Sequence, residues 1–511
     1  LTIFRVFLIT GYTFMISSMT SRSKDKLLVF GHEKSSPAFL NDSFLRENSS
    51  YQVEGFLRFG PRISMRIGIY KVYFVSDQAE FNRLVNRYNI KAILFTDYKV
   101  VKEESERLVR FCEKKKIRML LLPSIDELQG GKIQLRALPE VRIEDLLGRE
   151  EIRINMEEIA GSLKGKVVLV TGAAGSIGSE LCRQLCHFGL KQLVLFDSAE
   201  TPMHNIRLEL EEKFPDVEFT PVMGDIRMIH RVESIYQRFR PHIVFHAAAY
   251  KHVPLMEENP CEAVHTNVYG TRNVADMAVK YDVDKFIMVS TDKAVNPTNV
   301  MGASKRLAEM YVQSLSIAIS KGRQSGKTCF ITTRFGNVLG SNGSVIPRFK
   351  EQIENGGPVT VTHPDIIRFF MTIPEACRLV MEAATMGEGN EIFVFEMGKA
   401  VKIVDLATRM IELAGYRPGE DIEIEFTGLR PGEKLYEEVL SDKENTIPTE
   451  NKKIMIAKVR RYEYADILDT YAEFEKLSRA VKIMDTVRLM KKIVPEFKSK
   501  NSPRFEVLDK E

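Results

Sequence analysis

"KVVLVTGAAGSIGSELCRQL", residues 166–185, joins an apolar, β-branched run to an amphipathic stretch through Gly172, Gly175 and Gly178. The run before the glycines has the pattern of a strand buried on both faces, and the stretch after them has helical spacing. A glycine triplet alone says little, but between a buried strand and a helix it gains meaning. Glycines there let the backbone approach a pyrophosphate, whose charge the helix N-terminus stabilises. The bland alternative is a glycine-rich turn without a ligand. Asp197 ends the next apolar run, "QLVLFD". A carboxylate at that point can accept hydrogen bonds from the adenosine ribose and would repel a 2′-phosphate. Ser198 follows it, not an arginine, so NAD is expected rather than NADP. Asp225 and Ile226 end the third run, where an adenine ring would be bracketed. Ser176 and Ile177, between the last two glycines, and Ala247, at the end of "HIVFHAAA", complete the expected cofactor contacts.

Outward from this stretch the alternation continues. "VEFTPVMGD", "HIVFHAAA", "KFIMVST" and "TCFITTRFGNV" read as further strands separated by helices, which predicts an α/β fold with a doubly wound parallel sheet of Rossmann type. The pattern weakens beyond about residue 340, where "NGGPVTVTHPDIIRFF" and "TGLRPGEKLYEEVL" suggest a smaller substrate-binding region. Upstream, "KLLVF", "QVEGFLRF", "KVYFV", "KAILFTD" and "RMLLLP" read as strands, with "DQAEFNRLVNRYN" and "KEESERLVRFCEKK" as helices between them. That order predicts a small, degenerate Rossmann-like α/β domain over 26–123. Its first strand runs into "GHEKSS", where Gly31 is the only glycine, so a structural or regulatory role is expected there rather than nucleotide binding. The expected organisation is therefore a remnant of a membrane region at 1–25, this domain at 26–123 and a linker at 124–165. A cofactor-binding and catalytic domain at 166–445 and a C-terminal extension at 446–511 follow, the last twenty or so residues being frayed.

The chain has 511 residues, with 44% hydrophobic and 28% charged residues and a net charge of +4. No basic run interleaved with aromatics occurs, so nucleic acid is not an expected partner. Six cysteines are scattered without a C-x-x-C pair, the pattern of free thiols in a reducing cytosol, and nine dispersed histidines give no metal site. Between Arg5 and Arg22 lie about fourteen mostly apolar residues, short of the roughly 20 that span a bilayer. Membrane association is expected through this N-terminus, at the cytoplasmic face of the inner membrane.

"STDKAVNPTNVMGASKRLAE", residues 290–309, carries a second signal. Lys305 would lie one helical turn after Met301 on the same face. Together with "HAAAYKHVPLMEENPCEAVHTNVYGTRNV", "TRFGNVLGSNGSVIPRF" and "TGLRPGEKLYEE", this stretch resembles the polysaccharide-biosynthesis nucleotide-sugar 4,6-dehydratases of the extended short-chain dehydrogenase/reductase superfamily. The resemblance covers roughly residues 165–445, and residues 26–150 are similar to the middle part of its long-chain branch. Shorter relatives carry a tyrosine where this chain has Met301; in the long-chain branch methionine is common there, so Met301 does not mark a dead site.

The resemblance implies an NAD-dependent reaction on a UDP-N-acetylhexosamine, UDP-N-acetylglucosamine first, in a homo-oligomer. In it, oxidation at sugar C4 acidifies C5, a base removes the C5 proton, an acid protonates the departing C6 hydroxyl, and the cofactor is regenerated. By the same resemblance Asp292 is the acid, Lys293 the C5 base, Thr291 binds near the C4 hydroxyl, and Lys305 holds the nicotinamide ribose. Burial beside Lys305 is expected to lower the Lys293 pKa, and an apolar setting to raise that of Asp292. Tyr250 and Lys251 follow a strand end and are expected to line the same cleft. Asn337 and Arg430 have the chemistry to hold uridine and diphosphate, with Arg348 and Arg368 as weaker candidates. A C4 epimerase is the nearest competing reading, though it needs no C5 base. A non-catalytic scaffold would have no chemical reason to keep the glycines, Asp197, Asp292, Lys293 and Lys305 together.

Overall fold

The structure, a computed structural model, describes residues 25–31, 51–61, 63–96, 100–101, 104–115, 117–121, 154–437, 446–499 and 502–510. The expected N-terminal remnant, "GHEKSS" beyond Gly31 and most of the expected linker lie outside the described residues. The chain divides into two compact units, Leu1–Arg149 with Arg409–Ile422, and Glu150–Thr408 with Glu423–Glu511.

In the first unit β1 (Asp25–Phe30), β2 (Tyr51–Phe59), β3 (Arg66–Ile67), β4 (Tyr70–Val75), β5 (Ile90–Phe95) and β6 (Arg118–Leu121) form one sheet in the order β3-β4-β2-β1-β5-β6. All pairs are parallel except the short β3–β4 pair. Successive side chains alternate faces, so Leu28 joins one core layer while Leu27 and Val29 join the other. The helix Gln78–Tyr88 starts at Asp77, whose carboxylate accepts from the Glu80 amide at 2.8 Å, and it buries Phe81 and Val85. The stretch expected as one helix over 102–115 is instead a π-turn at Ser105–Val109 followed by an α-helix at Arg110–Lys115.

The second unit is built on β7 (Val167–Thr171), β8 (Gln192–Asp197), β9 (Phe219–Met223), β10 (Ile243–His246), β11 (Lys285–Thr291), β12 (Cys329–Phe335) and β16 (Ile392–Phe395). They run parallel in the order β9-β8-β7-β10-β11-β12-β16. Strand order reverses between β7 and β10, which opens a crevice at the C-terminal ends of the strands. This is the doubly wound sheet that the apolar runs predicted. Val168 and Val170 face a layer that includes the helices Met156–Leu163, Ser176–Leu185 and Ile373–Met386. Val167 and Leu169 face the helices Ile229–Phe239, Thr271–Lys280 and Val300–Ser320 on the other side.

The C-terminal residues belong to this same core. A hairpin of β19 (Thr446–Pro448) and β20 (Ile454–Ala457) extends the sheet antiparallel beyond β16. The helices Tyr464–Arg479 and Ile483–Ile493 bury Tyr471, Phe474, Val487 and Met490 against Val300–Ser320. Every residue from Val300 to Ala318 is consequently buried. The expectation of a frayed end is corrected here: Val494, Phe497, Phe505 and Leu508 are all buried, and the charged residues between them conceal that apolar set in the sequence. Smaller strands β13 (Asn337–Val338), β15 (Ile367–Met371) and β17 (Ala400–Lys402) form a separate three-stranded sheet, and β14 (Val359–Val361) pairs in parallel with β18 (Ile424–Phe426). Among the described residues no helix is long and apolar enough to cross a membrane.

Candidate active site

The glycine-rich turn leaves β7 at Thr171. Gly172 has φ of 68°, a conformation in which a side chain is strained, and its amide donates to the Phe196 carbonyl at 2.9 Å. A Cβ on Gly172 would lie 2.6 Å from the Ala248 amide nitrogen, and one on Gly178 would lie 2.0 Å from the Gly172 oxygen. Both positions admit glycine alone, because the turn, the helix start and the end of β10 are packed backbone to backbone. Gly175 opens the helix Ser176–Leu185 without a side-chain cap, so the first-turn amides remain to meet an acceptor. Ser176 accepts from the Asn342 amide at 3.2 Å, the Ile177 carbonyl accepts from the Cys377 thiol, and the Ala247 amide donates to Thr171 O at 3.0 Å.

Asp197 stands at the end of β8 beside this turn. Its two oxygens accept from the amides of Ala174 and Ala199, each at 2.9 Å, which fixes the carboxylate at the crevice. Asp225 is paired with Arg227, whose amide and guanidinium both donate to it. Arg227 outweighs burial and holds the Asp225 carboxyl below the usual carboxylate range. Ile226 turns into the core, over Gly270, where a Cβ would come within 2.4 Å of its terminal methyl.

The second cluster forms where β11 ends. Thr291 closes the strand, and Asp292–Ala294 make one 3₁₀ turn before the helix Val300–Ser320. Asp292 is 6% exposed. Its Oδ1 accepts from Thr291 Oγ1 at 2.8 Å and from Lys293 Nζ at 3.0 Å. Lys293 also donates to Asn337 Oδ1 at 2.8 Å and pairs with Glu437 Oε1 at 3.3 Å. Burial raises the Asp292 pKa, as expected from an apolar setting; the Lys293 ammonium opposes that rise. The expectation for Lys293 is corrected. Burial alone would lower its pKa, but the carboxylates of Asp292 and Glu437 outweigh it and hold the ammonium above the ordinary lysine range. Among the neighbouring cations, Arg368 opposes that rise.

Lys305 is buried and donates to the Val289 carbonyl at 2.8 Å. Burial lowers its pKa to about 8. Met301, one turn earlier, is 3% exposed and packs in the main core, which is what a residue without a transferable proton would do there. One turn further on, Glu309 is fully buried, accepting from Ser290 Oγ at 2.7 Å and from Arg334 Nε at 2.8 Å, with Arg306 Nη1 at 3.3 Å. These bonds lock the end of β11, β12 and the helix into one body.

The residues expected to bind substrate are more dispersed. Asn337 sits against Lys293 rather than apart from it. Tyr250 is 40% exposed and its backbone is clamped by Asn267, but among the described residues neither Tyr250 nor Lys251 bonds to the Asp292–Lys293 pair. Arg430 is exposed and paired with Glu433, and Arg348 is exposed and reaches Thr360. Arg368 is buried and holds Glu433, Glu437 and the carbonyls of Ile367, Lys434 and Leu435.

Glu437, Asn267 and Glu309 are the functional neighbours that the sequence reading did not single out. All three stand inside stretches it quoted, and an isolated carboxylate in the apolar run "KRLAEMYV" was the available sign for Glu309.

A glycine cradle and an acid–lysine pair at the strand ends of one doubly wound sheet coincide with a family model for "Polysaccharide biosynthesis protein", which matches residues 168–459. The chain belongs to that family. It is 47% identical over 380 residues to the capsular polysaccharide biosynthesis protein CapD of Staphylococcus aureus, covering 74% of this chain and 62% of the relative. It thus spans less than two thirds of that protein's length. A UDP-glucose 4-epimerase of Rickettsia rickettsii is 38% identical over 283 residues, which is 55% of this chain and 79% of the relative. Among solved structures, Pen from Bacillus thuringiensis superposes with a TM-score of 0.53 at 35% identity, covering 59% of this chain and 91% of Pen.

Proposed function

We propose that this protein is a nucleotide-sugar 4,6-dehydratase acting on a UDP-N-acetylhexosamine, with UDP-N-acetylglucosamine the substrate, in polysaccharide biosynthesis. The observation that carries this reading is the pair of buried Asp292 and part-buried Lys293, an acid and a base joined by a 3.0 Å hydrogen bond where β11 meets the crevice. Elimination across C5 and C6 needs one group to take a proton and another to give one.

The cradle fits NAD, since Gly172 and Gly178 let the turn pack backbone to backbone, the first-turn amides after Gly175 have no side-chain cap, and Asp197 presents a fixed carboxylate at the adjoining strand end. When bound, NAD supplies the reversible oxidation of the sugar at C4. Gly172, Gly175 and the helix start at Ser176 would hold the pyrophosphate, Asp197 the adenosine ribose, and Lys305 the nicotinamide ribose.

Lys293 begins as an ammonium. Passage of one proton along its hydrogen bond to Asp292 Oδ1 leaves a free amine and a carboxylic acid with no change of net charge. Burial, which disfavours both charged forms, favours that exchange. The Lys293 amine then takes the C5 proton, and the Asp292 carboxyl protonates the C6 oxygen as it leaves. Thr291, bonded to Asp292, stands next to the same atoms and orients the acid. Met301 contributes packing only.

A UDP-sugar C4 epimerase is the second reading, supported by the similarity to the Rickettsia UDP-glucose 4-epimerase. Incubation with UDP-N-acetylglucosamine in deuterated water separates the two. The dehydratase yields a product lighter by one water and labelled at C5. An epimer of unchanged mass without C5 label would favour the second reading.

A further inference from the structure

Glu437 reaches the Asp292–Lys293 pair from a distant part of the chain. Three acceptors surround Lys293 Nζ: Asn337 Oδ1 at 2.8 Å, Asp292 Oδ1 at 3.0 Å and Glu437 Oε1 at 3.3 Å. An ammonium has three N–H donors and no acceptor, so this set matches it group for group. The side chains of Asp292 and Glu437 are each 4% exposed, which leaves little water to screen their charge. Glu437 is itself anchored. Arg368 Nε lies 3.4 Å from the same Oε1, and its guanidinium donates to Lys434 O at 2.7 Å, tying the 433–437 segment to β15.

The charged groups around the pair come from three places: Asp292 and Lys293 from the turn after β11, Arg368 from β15, and Glu433, Lys434 and Glu437 from the segment leading up to residue 437. Lys293, Arg368 and Lys434 outweigh burial and keep Glu437 below the usual carboxylate range, so it remains an anion while the pair exchanges its proton.

We infer that Glu437 is a positioning residue that holds the Lys293 ammonium against Asp292 and sets the pH range in which the pair can exchange the C5 proton. This rests on the dehydratase reading above. The sign follows from charge. A buried anion beside Lys293 stabilises every protonated form of the pair, and its removal lets the protons leave at lower pH. Both limbs of the pH profile belong to the coupled pair, so both move together.

The test is the pH profile of C5 deuterium exchange by the full chain loaded with NAD, using UDP-N-acetylglucosamine in deuterated water. In Glu437→Gln the whole bell is expected to shift to lower pH by about one to three units, the effect of losing one close opposite charge. Glu437→Asp keeps the charge but withdraws it, and is expected to shift the bell less in the same direction. A rate that falls equally at every pH, with both limbs in place, describes a merely structural role and overturns the inference. Should Glu437→Gln fail to fold by thermal unfolding, Glu437→Asp decides alone, and unmoved limbs overturn it. Lys293→Met tests the parent reading separately. If it abolishes exchange while the Glu437→Gln profile stays put, only the role of Glu437 falls; if exchange survives in Lys293→Met, the base assignment falls first.

Discussion

Gly302 lies directly beneath Lys293: a Cβ built on it would come 2.1 Å from the Lys293 carbonyl oxygen. Asn299 caps the helix at the same point, accepting from the Gly302 amide at 2.8 Å. The first turn of the helix Val300–Ser320 is therefore pressed against the turn that carries Asp292 and Lys293, and the absence of a side chain at residue 302 sets that spacing.

Gly302→Ala should force the helix and the turn apart. The obstructing atom is backbone and cannot rotate away, so an overpacking cost of about 1–3 kcal/mol is expected. Displacement of reacting groups by around 1 Å can lower a rate on the order of 10²-fold. Thermal unfolding and the dehydration rate measure the two effects. A variant with unchanged melting temperature and rate would show that the contact does not position the pair.

Met301→Leu and Lys293→Met separate packing from chemistry. Met301 is buried in the core, and a volume-conserving swap usually costs less than about 1.5 kcal/mol, so activity should stay within about tenfold. Lys293→Met removes the proposed C5 base and should lower C5 deuterium uptake by roughly 10² to 10⁴. Mass spectrometry of the recovered sugar reads this directly. Normal uptake in Lys293→Met, or its loss in Met301→Leu, would reverse the assignments.

Asp197→Asn should weaken NAD binding and narrow the discrimination against NADP. A hydrogen bond to a charged group contributes about 1.5–3 kcal/mol, so a loss of roughly ten- to hundredfold in affinity is expected. Calorimetry with each cofactor is the measurement. An unaltered preference would mean that Asp197 only braces the turn through the Ala174 and Ala199 amides.

His246 makes stability depend on pH. It is fully buried at the end of β10, with its ring nitrogens 2.7 Å from Thr171 Oγ1 and 2.9 Å from Thr271 Oγ1. Burial, with a contribution from Lys305, lowers its pKa to about 3, against about 6.5 in the unfolded chain. The unfolded state thus binds a proton that the folded state refuses. The contribution is fully present above pH 6.5 and is lost as pH falls towards 3, at about 1.4 kcal/mol per unit. Denaturant unfolding at pH 7.5 and 5.0 should show the loss, and His246→Gln should flatten the slope by about one proton. An equal slope in both proteins would place the proton elsewhere.

The sequence by itself determined the layered architecture and the two clusters at its open edge. Buried parallel strands are continuous apolar runs and glycines stand where backbone meets backbone, so β7, β8, β10 and β11, and the turn through Gly172 and Gly178, were legible from local pattern. Asp292 and Lys293 were legible because they directly follow such a run inside a stretch that resembles the dehydratases. Only the tertiary structure decided what surrounds them. Glu437 lies 144 residues beyond Lys293 and Asn337 lies 44 beyond it, and no local period relates these positions. The charge state of Lys293 followed from that meeting: burial beside Lys305 suggested a lowered pKa, whereas the neighbouring Asp292 and the Glu437 carboxylate brought in by folding raise it. The last twenty or so residues were misjudged for a similar reason. Their apolar residues are sparse along the chain and become a core only when they meet the face of Val300–Ser320, because burial is a property of the partner surface as much as of the segment itself.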